Sequence, residues 1–400
     1  AERKAIKIHN YMDFLDVMDY AAIRYEVSCD GVCVETGEIP GFSIAPHGEA
    51  QACLDIIVPN TGRAYLKLIY QAAVAMPLVP KGHVLGFDEV LLKNADGRNQ
   101  TALKWMNRIM NEDEKIDVKE NDMSVICKGR GFTYRYDKRK GMFSHICYAG
   151  QEYLHHPMEC NIWRALTDND MYAGLEWKRA RYDEAYTRAY GFVIWQSKDE
   201  VTLCSTMAVL AASVQRMLFM EAKWSIDKSG AISVTMQVKR DMEFPGLPRF
   251  GIRLFLGQEF RNVSYYGMGP MESYCDKHRA SSHGLYRTTV DKMHEDYIRP
   301  QENGSHYDCD YVELSNGRHG LMVASMRPFS FNASVYAQED LERTAHHYQL
   351  QESDSTVLCI DYAMSGMGSN SCGPKLHPQY RLEEETFVFE SMLIPFTKPS

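Results

Sequence analysis

The sequence predicts an all-β protein of two domains over its 400 residues. Short segments in which apolar and polar residues alternate recur along most of the chain, as strands with one buried face require. Gly, Pro and Asp separate these segments at spacings typical of β-sandwiches. Helical patterns are few, and the later part of the chain is too long for one ordinary sandwich. We therefore predict a small sandwich followed by a very large double-sheet domain.

The small sandwich is predicted over residues 1–95. Its clearest signal is the alternation across 23–29, where Ile23 and Val27 share one face. Asp30-Gly31 then leads into a second strand, because both residues accept the positive φ that a tight hairpin turn needs. Further strands are predicted over 52–58 and 65–74.

Residues 96–120 differ in composition from the segments around them. The run 94–100 is polar and turn-rich, and 111–115 is a charge cluster. We interpret 96–120 as a linker that could include one edge strand.

The large domain is predicted over residues 121–400. A turn at 227–230 precedes its clearest strand, in which Ile232 and Val234 alternate with polar residues. The predicted strands are 125–128, 132–136, 231–238, 253–256, 311–314, 321–324, 358–362 and 386–393. Two short helices are predicted over 176–190 and 338–347.

Composition excludes several functions. The net charge of −9 disfavours nucleic acid and anionic membranes as partners, and no apolar run is long enough to span a membrane. The 11 cysteines form no C-x-x-C pair, so we predict neither a zinc site nor a disulfide framework. We also predict no site for any other metal. Reduced thiols indicate a cytoplasmic protein. The first residues resemble the interior of a longer protein rather than a signal peptide.

Four polar segments rich in Gly or Pro are candidates for chemistry. They are 163–170, 266–274, 300–304 and 371–374. Their carboxylates offer the acid and the nucleophile or base of a glycosidase, which lie about 5–10 Å apart. The alternative is that each carboxylate caps a turn or pairs with an arginine. The carboxylates are Asp168, Asp170, Glu272 and Glu302.

Other candidate sites are weaker. A calcium loop starting at Asp168 fails, because Ala173 and Arg179 occupy the positions that need Gly and Glu. Cys372 is read either as a nucleophile or, more simply, as a structural or pocket-lining thiol. His346 and His347 are adjacent and do not form an i,i+4 metal pair. The aromatic residues that could stack on sugars or fill the core are Trp163, Trp177, Trp195, Tyr265, Tyr266 and Tyr274.

Taken in order, several of these motifs resemble the last domain of family 2 β-galactosidases. The resemblance spans about 120–396 and rests on the segments 164–170, 248–253, 266–276, 297–304 and 366–374. Residues 1–95 are similar to the preceding domain of the same enzymes, with 6–14 resembling its first strand and 82–91 its last.

This resemblance implies an immunoglobulin-like β-sandwich followed by an antiparallel supersandwich of the galactose-mutarotase kind. It implies a parent enzyme that hydrolyses terminal β-D-galactosides. In that family both catalytic glutamates lie in a preceding (β/α)8 barrel, and this sequence has no pattern of eight strand–helix units. We therefore expect no catalytic residue here. The expected partners are the rest of the parent chain, a β-galactoside substrate and further copies in a homo-oligomer. The Mg and Na ions of the family are expected mainly outside these domains.

For individual residues the resemblance implies two groups. The first is expected at the rim of the active site and comprises Asp168, Asn169, Asp170, Tyr172, Ser371 and Cys372. The second belongs to structural motifs and comprises Arg164, Gly269, Pro270, Glu272, Glu302 and Asn303. Cys372 replaces a Trp of some members, and the Tyr172-Ala173-Gly174 stretch departs from the expected glycine placement. Two alternatives remain: a carbohydrate-binding module, and a mutarotase-like epimerase using Glu302 with His346 or His347.

Overall fold

A computed structural model describes residues 2–41, 43–93, 96–107, 115–368 and 373–398. The described chain consists mostly of antiparallel strands with few short helices, so the predicted all-β class is confirmed. It divides into two compact units between Lys104 and Trp105, with 283–285 grouped with the first unit. None of the helices in the described ranges combines the length and hydropathy that crossing a bilayer requires.

The first unit is a β-sandwich of a two-stranded and a four-stranded sheet. Its elements are β1 (Glu2–His9), α1 (Val17–Tyr20), β2 (Ala21–Cys29), β3 (Val32–Ile39), β4 (Glu49–Ile56), β5 (Ala64–Ala72) and β6 (Val84–Leu91). Strands β1 and β4 pair in one sheet, and the other has the order β3-β2-β5-β6. Asp30 and Gly31 have φ values of 50° and 80°, as the predicted hairpin requires. Ile23, Val27 and Leu66 fill the core between the sheets.

The predicted linker contains regular structure. Helix α2 (Gln100–Met106) and strand β7 (Asp117–Glu120) lie in it, and β7 is the edge strand of a five-stranded sheet. Asn94 and Ala95 lie outside the described residues, as does most of the charge cluster, at 111–114.

The second unit contains a five-stranded and a twelve-stranded sheet. Besides β7, the strands are β8 (Ser124–Gly129), β9 (Phe132–Asp137), β10 (Met142–Tyr148), β11 (Gln151–Glu152), β12 (Leu154–Asn161), β13 (Tyr186–Gln196), β14 (Glu200–Leu210), β15 (Leu218–Asp227), β16 (Ile232–Arg240), β17 (Arg249–Gly257), β18 (Asn262–Gly269), β19 (Ser282–Thr289), β20 (Ser305–Ser315), β21 (His319–Ser334), β22 (Ser355–Met364) and β23 (Thr386–Thr397). The five-stranded sheet has the order β11-β10-β9-β8-β7. The main path of the twelve-stranded sheet is β12-β17-β22-β21-β23-β16-β15-β14-β13, with β18, β19 and β20 off it.

An aromatic cluster fills part of the core of this unit. Phe143 meets Trp224 edge-on at 5.3 Å and Tyr136 at 5.3 Å, and all three are buried. The Tyr136 hydroxyl hydrogen-bonds the Ser205 hydroxyl at 2.8 Å, which satisfies its polar end. All eight strands predicted for this unit are confirmed, but several are longer than predicted, and the strand predicted over 321–324 extends to Ser334.

The prediction of a helix over 176–190 is wrong beyond its first turn. Helix α3 (Ala173–Arg179) ends early, and β13 begins at Tyr186. Half-buried and exposed side chains alternate along most of 187–194, and several of these side chains are aromatic or β-branched. Both features favour a strand paired with β14 over a continuation of the helix. The second predicted helix is confirmed but shorter, as α4 (Gln338–Arg343).

Candidate functional site

A cleft opens in the second unit beside the segment that connects β12 to α3. Its cavity volume is about 130 Å³. Loop residues form one wall and the start of α3 forms another. The lining includes Arg164, Asn169, Asp170, Tyr172, Trp177, Gly366, Gly368, Lys375 and Leu376. Five residues singled out in the sequence, Arg164, Asn169, Asp170, Tyr172 and Trp177, are thereby brought together.

A buried ion pair supports this cleft. The Arg164 guanidinium donates from Nη2 to Asp170 Oδ1 at 2.7 Å and from Nε to Oδ2 at 3.1 Å. Both residues are at most 5% exposed. This two-pronged geometry is the strongest form of such a pair because it fixes both planar groups. Arg164 also donates to the backbone carbonyls of Ser365 and Gly366. One side chain therefore joins two loops of the cleft.

The segment after Arg164 turns tightly around Asp170. The backbone N–H of Thr167 donates to Asp170 Oδ2 at 3.0 Å. Asn169 Nδ2 donates to the Met367 carbonyl at 2.8 Å, adding a second tie between the same two loops. Asp168 is exposed, and its backbone N–H donates to Gln301 Oε1 at 3.3 Å. Tyr172 is 55% exposed at the mouth of the cleft.

The second loop of the cleft is held over residues 365–368. The backbone N–H of Met367 donates to Asp276 Oδ1 at 2.9 Å, and that of Gly366 to the Tyr380 carbonyl at 2.8 Å. A Cβ on Gly366 would lie 2.5 Å from Asp276 Oδ2, so only glycine fits there. This contact accounts for glycine at position 366 within the loop.

Ser371 and Cys372 lie outside the described residues, so their expected place at the rim stays a prediction. Among the described residues near them, Gly368 and Lys375 line the cleft. After this loop the chain is fixed by Arg381, whose Nε donates to the Leu376 carbonyl at 2.6 Å.

The cleft wall combines an aromatic surface with polar groups. Trp177 lies 5.2 Å beneath the Arg164 guanidinium, and its Nε1 donates to the Gly246 carbonyl at 2.8 Å. Exposed Lys375 and Glu176 also line the cleft. Such a wall can hydrogen-bond hydroxyl groups and pack against an apolar ring face. Both oxygens of Asp170 are already engaged, so Asp170 is not placed as an acid or a nucleophile.

Glu272 anchors a neighbouring loop. Its carboxylate accepts from the Tyr297 hydroxyl at 2.6 Å, from the Gly304 backbone N–H at 2.9 Å and from Lys277. Burial acts to raise the pKa of Glu272, but the hydrogen bonds from Lys277, Tyr297 and Gly304 outweigh it, so the pKa lies below its usual value. A carboxylate held this way is a structural tie.

Glu302 belongs to a buried trio with Arg249 and Asp361. Arg249 donates from Nη1 to Glu302 Oε2 at 3.1 Å and from Nε to Asp361 Oδ1 at 3.0 Å. Burial raises the pKa of both acids, and one guanidinium only partly offsets this for two carboxylates. Glu302 is only 5% exposed.

The remaining residues of the structural-motif group lie at the end of β18 and in loops. Asn303 accepts from the Glu295 backbone N–H at 2.9 Å and donates to the Gln301 carbonyl at 2.8 Å. The Gly269–Pro270 peptide bond is cis. A Cβ on Gly269 would lie 2.2 Å from the Tyr265 hydroxyl, so this position requires glycine.

Most of the aromatic candidates belong to the core. Of the six, only Trp195 is exposed, at 56%, and it lies on β13 rather than in the cleft. His346 and His347 are exposed near a short 3-10 turn at His347–Gln349.

Sequence reasoning missed one group of ligand-type side chains. His155, His156 and Asp354 lie together on the surface, away from the cleft lining. The prediction of no metal site did not consider them, because 198 residues separate His156 from Asp354. The only local signal is the His-His-Pro sequence on β12.

The fold and the cleft together define a two-unit all-β protein that presents a polar, partly aromatic cleft between loops. Residues 128–393 match the family model described as "Beta galactosidase small chain", and residues 6–93 match "Beta-galactosidase, domain 4". The chain belongs to this family of β-galactosidases.

Individual relatives of this chain are also β-galactosidases. A β-galactosidase of Actinobacillus pleuropneumoniae is 42% identical over 97% of this chain and 38% of its own length. One of Staphylococcus xylosus is 32% identical over 96% of this chain and 38% of its own. The chain thus spans little more than a third of these relatives. Among solved structures, a galactose 1-epimerase of Lactobacillus acidophilus covers 73% of this chain and all of its own, with a TM-score of 0.41 and 9% identity.

Proposed function

We propose that this chain is the C-terminal, non-catalytic portion of a β-galactosidase that hydrolyses terminal β-D-galactosides. Its role is to supply scaffold, oligomer contacts and part of the active-site rim. The observation that carries the proposal is the match over 97% of this chain to only 38% of a β-galactosidase. The larger remainder of such an enzyme has ample length for a catalytic domain.

The described carboxylates support a non-catalytic role. A glycosidase needs one carboxylic acid free to protonate the leaving group and one carboxylate free to attack or activate water. Asp170 is bound by Arg164, Glu272 by Lys277 and Tyr297, and Glu302 by Arg249. Of the four candidates only Asp168 has an exposed side chain.

The partners follow from the same proposal. The chain works with the rest of its parent enzyme, binds the aglycone side of a β-galactoside and contributes to a homo-oligomer in the cytoplasm. Mg and Na ions of the parent bind mainly outside these two units. The cleft walled by Trp177 and Tyr172 is the part that meets substrate.

The two alternative functions, an epimerase and a carbohydrate-binding module, require different properties of the site. An epimerase would need Glu302 accessible beside a histidine, whereas Glu302 is buried against Arg249 and His346 and His347 are exposed. A carbohydrate-binding module would bind galactose without the remainder of the enzyme. Calorimetry on the 400-residue chain distinguishes this second case, because the rim proposal predicts no measurable heat of galactose binding.

A complementation experiment tests the proposal. The large complementary part is made from the A. pleuropneumoniae relative by removing the 38% that this chain matches, and the two chains are expressed separately and together. We expect nitrophenyl-β-galactoside hydrolysis only when both are present. Hydrolysis by this chain alone would contradict the proposal, as would full activity of the large part alone. The relative's own complete chain is the positive control.

A further inference from the structure

Two adjacent histidines on β12 point to the same side of the sheet. Neighbouring residues of a regular strand face opposite ways. Here the pairing with β17 shifts by one residue, since Leu154 lies opposite Leu256 and His156 opposite Phe255. The extra residue is His155, so both histidines face the single residue Phe255 across a β-bulge, which redirects side chains.

The local sequence explains the bulge. Pro157 follows the two histidines and cannot donate a ladder hydrogen bond, so it is tolerated only at edge strands or bulges. Strand β12 is at one end of the main path of the twelve-stranded sheet, and its register shifts again between His156 and Glu159. The imidazoles are therefore held on an edge of the sheet where solvent reaches them.

A carboxylate from a distant segment completes the group. Asp354 immediately precedes β22, which pairs with the other side of β17. Its Oδ2 lies 3.0 Å from His156 Nε2 and 3.4 Å from His155 Nε2. The ligand atoms of all three residues lie within 4.8 Å of one another. The side chains remain 48% exposed for each histidine and 62% for Asp354.

These distances match the edges of a metal coordination polyhedron. Zinc binds imidazole nitrogen and carboxylate oxygen at about 2.0–2.1 Å. Two ligands at about 2.1 Å lie about 3.0 Å apart at a right angle and about 3.4 Å apart at the tetrahedral angle. The carboxylate oxygen thus lies at ligand spacing from both imidazole nitrogens before any side chain moves.

We propose that His155, His156 and Asp354 form a surface site for a divalent cation of the zinc type. Two imidazoles and one carboxylate suit Zn²⁺, Co²⁺, Ni²⁺ and Cu²⁺, whereas Mg²⁺ favours oxygen ligands and retains its water. Three protein ligands leave at least one position for water or another ligand. The site is separate from the cleft and does not depend on the rim proposal.

Cobalt titration of the untagged, chelator-treated 400-residue chain tests the proposal. We expect one Co²⁺ per chain, with visible bands of nitrogen and oxygen ligation and without the intense thiolate band that exposed Cys33 or Cys53 would give. Excess Zn²⁺ should displace the cobalt and excess Mg²⁺ should not. Absence of cobalt binding, or a spectrum with thiolate bands alone, would overturn the site.

Single substitutions locate the binding. His156→Ala and Asp354→Asn should each weaken Co²⁺ binding by on the order of tenfold or more, with unchanged circular dichroism because the residues are exposed. Asp354→Asn retains size and hydrogen-bonding capacity, so it separates metal ligation from a purely structural hydrogen bond. The matched control is the double variant H346A/H347A, a second exposed adjacent pair, which should bind as wild type. Loss of binding in that control, or full binding in both ligand variants, would contradict the assignment.

Discussion

Two buried arginines of the second unit, Arg164 and Arg249, have the same exposure and different surroundings. Each is 1% exposed. Arg249 lies on β17 and faces two carboxylates, one of them on the neighbouring strand β22. Arg164 lies in a loop and faces one carboxylate together with two backbone carbonyls. The first arrangement holds the sheet together, and the second holds two cleft loops together.

The number of carboxylates around a buried arginine and its position in the fold therefore determine which part of the structure it stabilises. Removing one partner of a buried ion pair leaves an uncompensated charge in a medium of low polarity, which costs more than the pair itself contributes. Around Arg249 such a loss leaves two acids unpaired, Asp361 on β22 and Glu302 in the loop before β20. Around Arg164 it releases the loops that form the cleft.

The largest expected effect is from Arg249→Met, which keeps the chain's bulk and removes its charge. We expect a loss of about 3–5 kcal/mol in the free energy of unfolding, because Glu302 and Asp361 become unpaired. Urea denaturation measures it. If the variant does not accumulate in folded form, Asp361→Asn tests the same contact with a smaller change, because it keeps the size of the side chain.

Arg261→Met is the matched control for this substitution. Arg261 also binds two carboxylates, Asp291 and Glu352, both at 2.7 Å, but its side chain is 23% exposed. Its loss should cost about 1 kcal/mol or less. Equal losses at the two arginines would contradict the role assigned to burial.

An intermediate effect is expected from Asp170→Asn. It removes the charge that faces Arg164 and keeps the size of the side chain, so we expect a loss of about 2–3 kcal/mol. Asp168→Asn, two residues earlier and exposed, should change stability by less than about 0.5 kcal/mol. Thermal unfolding of the two variants in parallel measures the difference. Equal effects would mean that the Arg164 pair does not stabilise the loop.

The smallest expected effect on stability is an opposite pH dependence of Glu302 and Glu272. The folded-state pKa of Glu302 is raised, so its contribution is present below the ordinary pKa of about 4.3 and is lost as pH rises through the raised value. The pKa of Glu272 is lowered, so its contribution is present above about 4.3 and is lost as pH falls through the lowered value.

Urea midpoints of wild type, Glu302→Gln and Glu272→Gln across about pH 3 to about pH 7 test these signs. The stability advantage of wild type over Glu272→Gln should shrink on acidification. Its advantage over Glu302→Gln should shrink, or reverse, as pH rises. The same trend for both variants would contradict the assigned environments.

Much of the fold follows from local sequence. Alternating strands such as 231–238 and the Asp30-Gly31 turn are encoded by neighbouring residues, so they are predictable. The predicted helix over 176–190 is too long, because the pairing partner of β13 is a separate strand that local spacing does not reveal.

The candidate site depends more strongly on long-range contacts. The family resemblance implies a place at the rim for Asp170 and a structural role for Arg164, but the link from Arg164 to Ser365 crosses 201 residues and is visible only in the folded protein. The same applies to His156 and Asp354. A pair of adjacent histidines does not by itself predict a metal site. The bulge in β12 and the distant Asp354, which bring the three ligands together, are visible only in the folded protein.

We propose that the cleft beside Arg164 forms the aglycone side of the parent's active site. The most direct test compares Tyr172→Ala with Tyr348→Ala, since both tyrosines are exposed and only Tyr172 lines the cleft. In the complemented enzyme, kcat/KM is measured for galactosides with aromatic and with small aliphatic leaving groups. Loss of an aromatic contact predicts that Tyr172→Ala lowers the preference for the aromatic group about 2–10-fold, while Tyr348→Ala leaves it unchanged. An unchanged preference in Tyr172→Ala, or an equal change in both variants, would contradict the claim.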